Sequence, residues 1–357
     1  MKILITGNLG YVGPSLISKL RDSYPDGELI GYDMGYFSKC FTNVDFSPEN
    51  KLDKQIFGDV RNFEESIFEG VDAVVYLAAI SNDPMGNKYE EVTMDVNYRS
   101  AIRMAKSAKK QGVKSFVFAS SCSIYGEADD YAKVETDNLN PLTAYARSKV
   151  AAENDLAAVA DETFIVTCFR FATACGHSNR LRLDLVLNDF VAGAVTTKEI
   201  SILSDGTPWR PLIHVSDMGR AIGFGIERKA EQGGSFLVLN TGSKTWNYQV
   251  VELANAVAEV IPGVKVSVNP NAQPDKRSYK VNFELFAKLA PDHQPVYDLH
   301  TTIRELYSNL QEMGFKDSNY RKSQFIRLEV LNNLQQKNFL NQDLSWAWQK
   351  QIQYDIY

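Results

Sequence analysis

Short apolar runs alternate with stretches of helical spacing through the first half of the chain. Residues 2–6 (KILIT) read as a buried strand, followed by a glycine turn and an amphipathic stretch through Leu20. Further strands are predicted at 28–32 (ELIGY), 55–58, 73–77 (AVVYL), 115–119 (SFVFA) and 164–169 (FIVTCF), with helical spacing over 92–111 and 143–159. Strands this continuously apolar belong to sheets covered on both faces. Their alternation with helices predicts βαβ units, hence an α/β fold built on a doubly wound parallel sheet. The pattern loosens after Arg170, where glycines and prolines punctuate 204–213 and 262–274. Residues 214–227 are predicted helical and 235–240 (SFLVLN) a strand, both returning to the first domain. The expected division is a nucleotide-binding domain over 1–170 and a smaller substrate-binding lobe over 171–213 and 241–320. A C-terminal extension, 321–357, is polar but keeps Ile326, Leu328, Val330, Leu331 and Leu334 at partly helical spacing.

Composition narrows the function class. Hydrophobic residues make up 44% and charged residues 23%, which argues against wholesale disorder. Lys and Arg number 38 against 44 Asp and Glu, a net charge of −6 with no long basic run, so nucleic-acid binding is not expected. No apolar stretch approaches the roughly 20 residues that span a bilayer, and MKILITGNLG lacks the features of a secretory signal. Cys40, Cys122, Cys168 and Cys175 form no C-x-x-C pair, so neither a metal cage nor a disulfide framework is expected. The expected compartment is the cytoplasm.

The candidate chemistry begins in T-G-N-L-G-Y-V-G. Gly7, Gly10 and Gly13 follow the first strand at a helix start, with Tyr11 and Val12 between the last two. Glycine lets a backbone approach a pyrophosphate closely, and a helix N-terminus offers free N–H groups to the phosphates. Asp33 ends the second strand, where a carboxylate suits the ribose hydroxyls of NAD and would repel the 2′-phosphate of NADP. Three glycines can also form a plain strand–helix turn; strand, turn, helix and terminal acid together point to a Rossmann-type cofactor site. Asp59 and Val60 follow the third strand, where Asp59 either accepts from an adenine amine or is a solvated loop residue.

Tyr145 and Lys149 stand four apart in Y-A-R-S-K, on one face of a predicted helix. A free tyrosine, with a pKa of about 10, is a poor base at neutral pH. A neighbouring ammonium favours tyrosinate, so the phenol can move a proton to or from a sugar hydroxyl while hydride moves to or from a nicotinamide. The spacing alone is also that of an exposed helix face. Ser121 and Ser123, in S-S-C-S at the carboxyl edge of the fifth strand, are placed where such sheets bind ligands. Ser121 is read as a partner of the reacting oxygen, or as a helix cap.

Taken jointly, TGNLGYVG, YD at 32–33, GDV at 58–60, LAA at 77–79, Asn97, SSCSIYG at 120–126, YARSK at 145–149 and GTPWRPLIHVSDMGRA at 206–221 resemble the extended short-chain dehydrogenases/reductases of the nucleotide-sugar epimerase/dehydratase family. The resemblance runs from residue 3 to about 285, in the family's order. It implies a catalytic triad of Ser121, Tyr145 and Lys149, a cofactor flanked by Leu77, Ala78 and Ala79, and a nucleoside-diphosphate sugar as substrate. Arg180, Arg182, Arg210 and Arg277 are the expected phosphate partners, since guanidinium forks match phosphate oxygens. Arg210 and Arg277 occupy the family's diphosphate-clamp positions. Asn188 falls where the family places an amide at the base or phosphates; Thr173 stands where it has an amide after the sixth strand and reads equally as a strand-end packing residue; Ser81 and Asn82 lie in a loop where the sugar ring is expected, a stretch that otherwise reads as a surface turn. His214 and Asp217 are read as core or helix-cap residues.

One departure bears on the reaction. Where the family's 4,6-dehydratases carry an acidic pair after the threonine, this chain has Cys122 and Ser123, so dehydration is disfavoured, and decarboxylation is weakened for the same reason. The expected activity is an NAD-dependent 4-epimerase acting by transient hydride abstraction. A 4-ketoreductase of a 4-keto-6-deoxy sugar and a non-catalytic NAD-binding scaffold are the alternatives. By resemblance, a homodimer through the helices near 90–110 and 144–160 is expected.

Overall fold

The computed structural model describes residues 1–42, 45–269, 272 and 277–347, so residues 348–357 of the predicted extension lie outside the described residues. The strands are β1 (Lys2–Thr6), β2 (Glu28–Asp33), β3 (Lys54–Phe57), β4 (Ala73–Tyr76), β5 (Ser115–Ser121), β6 (Glu127–Lys133), β7 (Ile165–Phe171), β8 (Thr173–Cys175), β9 (Glu199–Ile202), β10 (Trp209–His214), β11 (Phe236–Thr241), β12 (Asn247–Gln249), β13 (Lys265–Val268) and β14 (Ser278–Val281). The helices are α1 (Gly13–Ser23), α2 (Asp83–Lys88), α3 (Glu90–Met94), α4 (Ser100–Lys110), α5 (Ala144–Val159), α6 (Val186–Thr196), α7 (Val215–Glu227), α8 (Val250–Val260), α9 (Glu284–Leu289), α10 (Leu299–Glu312) and α11 (Arg327–Gln336).

Seven strands form one sheet in the order β11-β7-β5-β4-β1-β2-β3, every neighbouring pair parallel. The order reverses between β1 and β4, which opens a crevice at their carboxyl ends. The apolar runs are explained by cover on both faces. Leu16, Ile17 and Leu20 of α1 pack with Met218, Ala221 and Ile222 of α7 on one side. Ala101, Met104, Ala105 and Ala108 of α4 pack with Ala152 and Leu156 of α5 on the other. The alanines let these two helices lie close to the sheet. The four cysteines are buried and unpaired.

The lobe has a separate apolar cluster, in which α6, α8 and α10 pack on β9 and β10. Its short strands pair in small sheets, β12-β10-β8, β13-β9 and β14-β6. Tyr279, Val281, Phe283 and Phe286, expected in the lobe, pack instead into the cluster that holds Ile3, Ile5 and Val117 of the main sheet.

The helix expected over 92–111 is three pieces: α3, a π-helical turn at Asp95–Arg99, and α4. That turn re-aims Asn97, a use π-turns often have near functional sites. The extension folds back on the first domain. Leu331, Leu340 and Leu344 are buried with Ile80, Met85, Tyr89 and Val92.

Candidate functional site

The glycine turn is dictated by close approach. Gly7 has φ +74°, and a Cβ there would lie 2.5 Å from the Ala78 nitrogen. A Cβ on Gly13 would lie 1.7 Å from the Asn8 carbonyl oxygen. Only glycine fits either place. Helix α1 then begins with no side-chain cap and no acid in its first turn. Its N–H groups are therefore left for an anion. Tyr11 turns away: its hydroxyl donates to the Gly176 carbonyl at 2.5 Å and fastens the turn to the lobe. Val12 is the N-cap residue of α1 and is partly buried in the core.

The crevice continues as a cleft of about 630 Å3, open mouth included, lined by Gly7, Asp33, Asp59, Val60 and Leu77 to Ala79. Those seven positions, scattered over the sequence, are thus brought together. Asp33 accepts from the backbone N–H of Leu9 (3.1 Å) and of Gly35 (2.7 Å). Burial pushes its carboxyl up, and those two N–H groups partly offset the shift. Asp59 is held by the Arg61 guanidinium at 2.7 Å, so its carboxylate is already paired. Tyr36, Phe37, Ile80, Val92 and Val96 also line it, apolar positions with no motif to reveal them. A cradle where a Cβ would clash, an uncapped helix start and a buried acid at the end of β2 together fit a dinucleotide with free ribose hydroxyls.

Beside this cleft, Thr143 caps α5 and sets Tyr145 in its first turn. The Ser121 hydroxyl, at the end of β5, accepts from the Ser123 N–H at 3.1 Å and lies near enough to the Tyr145 phenol to favour its ionised form. Asn97 accepts from the Ile80 N–H at 2.8 Å and donates to Ser148 at 3.1 Å. Ser148 in turn donates to the Tyr145 carbonyl at 2.7 Å, so the π-turn ties α5 to the end of β4. The Ser123 hydroxyl is buried and has no protein partner. A buried hydroxyl without a partner is costly.

Lys149 differs from expectation. Its ammonium nitrogen donates to the Ala119 carbonyl at 2.7 Å and lies 5.6 Å from the centre of the Tyr145 ring. Burial pulls its pKa down to about 7, against the raising effect of Glu153 one turn on. Burial likewise pushes Tyr145 up to about 12; the Ser121 hydroxyl opposes this, Asp83 adds to it and Arg182 counters it. Desolvation therefore outweighs the expected priming by lysine, and Arg182 supplies a positive field at the phenol. A pH effect follows. Between about 7 and its ordinary 10.5, Lys149 is neutral when folded and protonated when unfolded. The unfolded state then binds more protons, so stability rises with pH across that window. Compared with Lys149→Met, the wild type is expected to gain unfolding free energy from pH 7 to 10, read by urea titration.

The arginines fall into two groups. Arg210 donates to the Arg277 carbonyl, and Arg277 pairs with Asp83 at 2.7 Å. Thr143 also donates to Asp83, at 2.7 Å. Asp83, the first residue of α2, is one that sequence reasoning passed over. Arg182 forks onto Asp184 (3.0 and 2.9 Å) and donates to Ser81 at 3.1 Å. Asn82 donates to Asp184 at 2.6 Å and caps α2. Arg180 lies elsewhere, buried, paired with Glu49 at 2.8 Å and donating to the Ser38 carbonyl at 2.8 Å. Asn188 is engaged with Gly176 N–H (3.0 Å) and the Arg182 carbonyl (2.9 Å), which spends its amide on the loop. Thr173 opens β8 and is half-buried. His214 caps α7 through its Nδ1 and meets Glu305 at 2.8 Å through its Nε2. Asp217 accepts from Val296 and Tyr297 N–H groups.

No helix among the described residues is long and apolar enough to cross a membrane. Comparison with known proteins places this site in context. The chain is 28% identical over 231 residues to the uncharacterized UDP-glucose epimerase YtcB of Bacillus subtilis, covering 62% of this chain and 71% of that protein. It is 27% identical over 288 residues to UDP-glucuronic acid decarboxylase 6 of Arabidopsis thaliana, covering 78% and 80%. The solved UDP-glucuronic acid 4-epimerase of Bacillus cereus, in complex with UDP-glucuronic acid and NAD, superposes with a TM-score of 0.74 at 19% identity, over 88% of this chain and all of that one. Residues 3–240 match the epimerase model, and the chain thus belongs to the NAD dependent epimerase/dehydratase family.

Proposed function

We propose that this protein is an NAD-dependent nucleotide-sugar 4-epimerase working through a transient 4-keto sugar. An NAD-dependent enzyme that modifies nucleotide sugars is what the family and the relatives support. The step to 4-epimerase is supported by one observation: the Ser121 hydroxyl acts on the Tyr145 phenol, while the next positions, Cys122 and Ser123, offer no carboxylate for water loss or decarboxylation. Bound NAD supplies a hydride acceptor that becomes the donor of the return step.

The chain's own groups do the rest. Tyr145 acts as the phenolate, the form that the Ser121 hydroxyl and the Arg182 charge favour; it takes the proton of the sugar hydroxyl to become the phenol, and gives that proton back on the return step. Lys149, its nitrogen 5.6 Å from the centre of the Tyr145 ring and its pKa near neutrality, offers an N–H donor beside the phenol. Ser123 offers its hydroxyl to the sugar. Arg210 and Arg277 face the diphosphate, and Arg182 and Ser81 border the sugar. Thr173 and Asn188 line the lobe side, with Asn188 acting through the loop it holds. Asp33 accepts from the adenosine ribose. A homodimer through α4 and α5, and a cytoplasmic setting in which the four thiols stay reduced, belong to the same proposal.

Incubating the purified protein with UDP-, dTDP-, GDP- and CDP-sugars and following the products by NMR tests it. Inversion at C4 with no net change in NADH is expected. Stoichiometric consumption of NAD(P)H on a 4-keto-6-deoxy sugar would make it a ketoreductase, and no epimer from any of the four series would end the 4-epimerase reading.

A further inference from the structure

We infer that residues 327–347 form a clasp over the adenosine half of the cofactor cleft and so belong to the NAD-binding site. This rests on the NAD reading above. The cleft has two lips at that end. Met34, Tyr36 and Phe37, just past Asp33, line one; Ile80, Val92 and Val96, past β4, line the other. Neither lip is covered by the lobe's own cluster. Both are covered by the tail, whose Leu331, Leu340 and Leu344 bury themselves among these residues.

Polar contacts fix the tail to each lip separately. On the first, the Trp346 indole N–H donates to the Met34 carbonyl at 2.9 Å, and its ring lies 5.4 Å from that of Tyr36. The Tyr36 hydroxyl donates to the Leu344 carbonyl. On the second, the Tyr89 hydroxyl donates to Gln335 at 2.7 Å, and Lys88 donates to Asn332. A third tie reaches the loop after β3. Arg61, which holds Asp59 in the cleft, donates to the Asp343 carbonyl at 2.6 Å. At the start of α11, Arg327 donates to the Arg180 carbonyl at 2.8 Å and lies 4.7 Å over the Phe37 ring.

The tail's own backbone shows that this seat is specific. Residues 340–346 turn back on themselves, bridged at Leu340 and Trp346. Leu344 sits at φ +60° with its side chain fully buried. A leucine holds the left-handed region only where its surroundings over-determine it. Here the surroundings are the two lips. A segment fastened to both lips holds them at one spacing, which resists the widening that eases release of an adenosine. A cofactor reduced and reoxidised within each turnover has no need to leave, so slow release fits the proposed chemistry.

The test is cofactor release, which needs no sugar substrate. Wild type and Trp346→Ala are loaded with NAD, freed of excess by gel filtration, and the nucleotide still bound is followed over time by mass spectrometry. Release about tenfold faster or more from the variant is expected, since lost contacts act mainly on the off-rate. Equal release rates would overturn the clasp. Should Trp346→Ala not fold, hydrogen exchange on the wild type decides. Slower exchange over 327–347 when NAD is added supports the clasp, and unchanged exchange there with protection confined to Gly7–Gly13 overturns it. A wild type that takes up no NAD at all would instead strike the cofactor reading, and the clasp with it.

Discussion

Tyr145→Phe is expected to lower kcat by about a hundred- to ten-thousandfold, the range lost when a positioned proton-transfer group is removed. The change deletes one oxygen. The ring keeps its place in the first turn of α5, where Thr143 still caps the helix. Neither Gly7, Asp33 nor the cleft between them touches that oxygen, so bound NAD should stay as in the wild type. The pairing of readouts matters. Lost turnover with retained cofactor assigns the phenol to proton transfer; retained turnover would remove Tyr145 from the mechanism. A protein that binds NAD and is indifferent to the substitution, because it never turned over, would be the scaffold alternative.

The second large effect concerns stability. Glu153 and Arg170 form a buried ion pair at 2.7 Å, both less than a tenth exposed. Ser120 donates to the same carboxylate, and Arg170 also reaches Tyr125 (3.0 Å) and the Glu135 carbonyl (2.9 Å). Tyr125 passes the network to Asn240 at 2.7 Å. Replacing Arg170 by Met leaves a buried carboxylate without its cation, which costs about 3–5 kcal/mol. The expected result is a fall of that size in unfolding free energy by urea titration. Adding Glu153→Leu should restore most of it, because a buried pair replaced by apolar side chains is often neutral. A double variant as unstable as the single one would show that the network's hydrogen bonds, rather than the charge, carry the stability. Glu153 also raises the pKa of Lys149, so the same variants should shift the pH dependence of that lysine.

The main sheet was readable because most of its strands are short apolar runs and several of them are followed by helical spacing. The strand expected at 55–58 is observed at Lys54–Phe57, and that at 164–169 at Ile165–Phe171, shifts of the kind that follow when neighbouring strands decide where pairing stops. The glycine turn and Tyr145–Lys149 were readable because their chemistry is local. What escaped the sequence is set by distance along the chain. Arg170 reads as a strand-end residue until α5 brings Glu153 beneath it. Arg180 reads as a phosphate ligand, yet Glu49 meets it in the interior. Helix α2, D-P-M-G-N-K, carries a proline and a glycine and has too few residues to show a period. The lobe strands β8 and β12 have three residues each, and only their partners make them strands. The leucines of α11 were visible, but nothing in their spacing said that they pack with Ile80, Met85, Tyr89 and Val92.

The β14-β6 pairing has a practical consequence. Residues 3–240 match the family, but that stretch is not a severable fragment. Lys280 and Val281 pair with Ala132 and Lys133, and the Asn240 side chain bonds the carbonyls of Lys133 and Asn282. Phe283 and Phe286 fill the core beneath the main sheet. An expression boundary drawn at residue 240 would strip aromatic filling from the nucleotide-binding half itself and leave β6 an orphaned edge, inviting aggregation. Crystallographic or binding work on this half alone should therefore carry the chain through at least the end of α9.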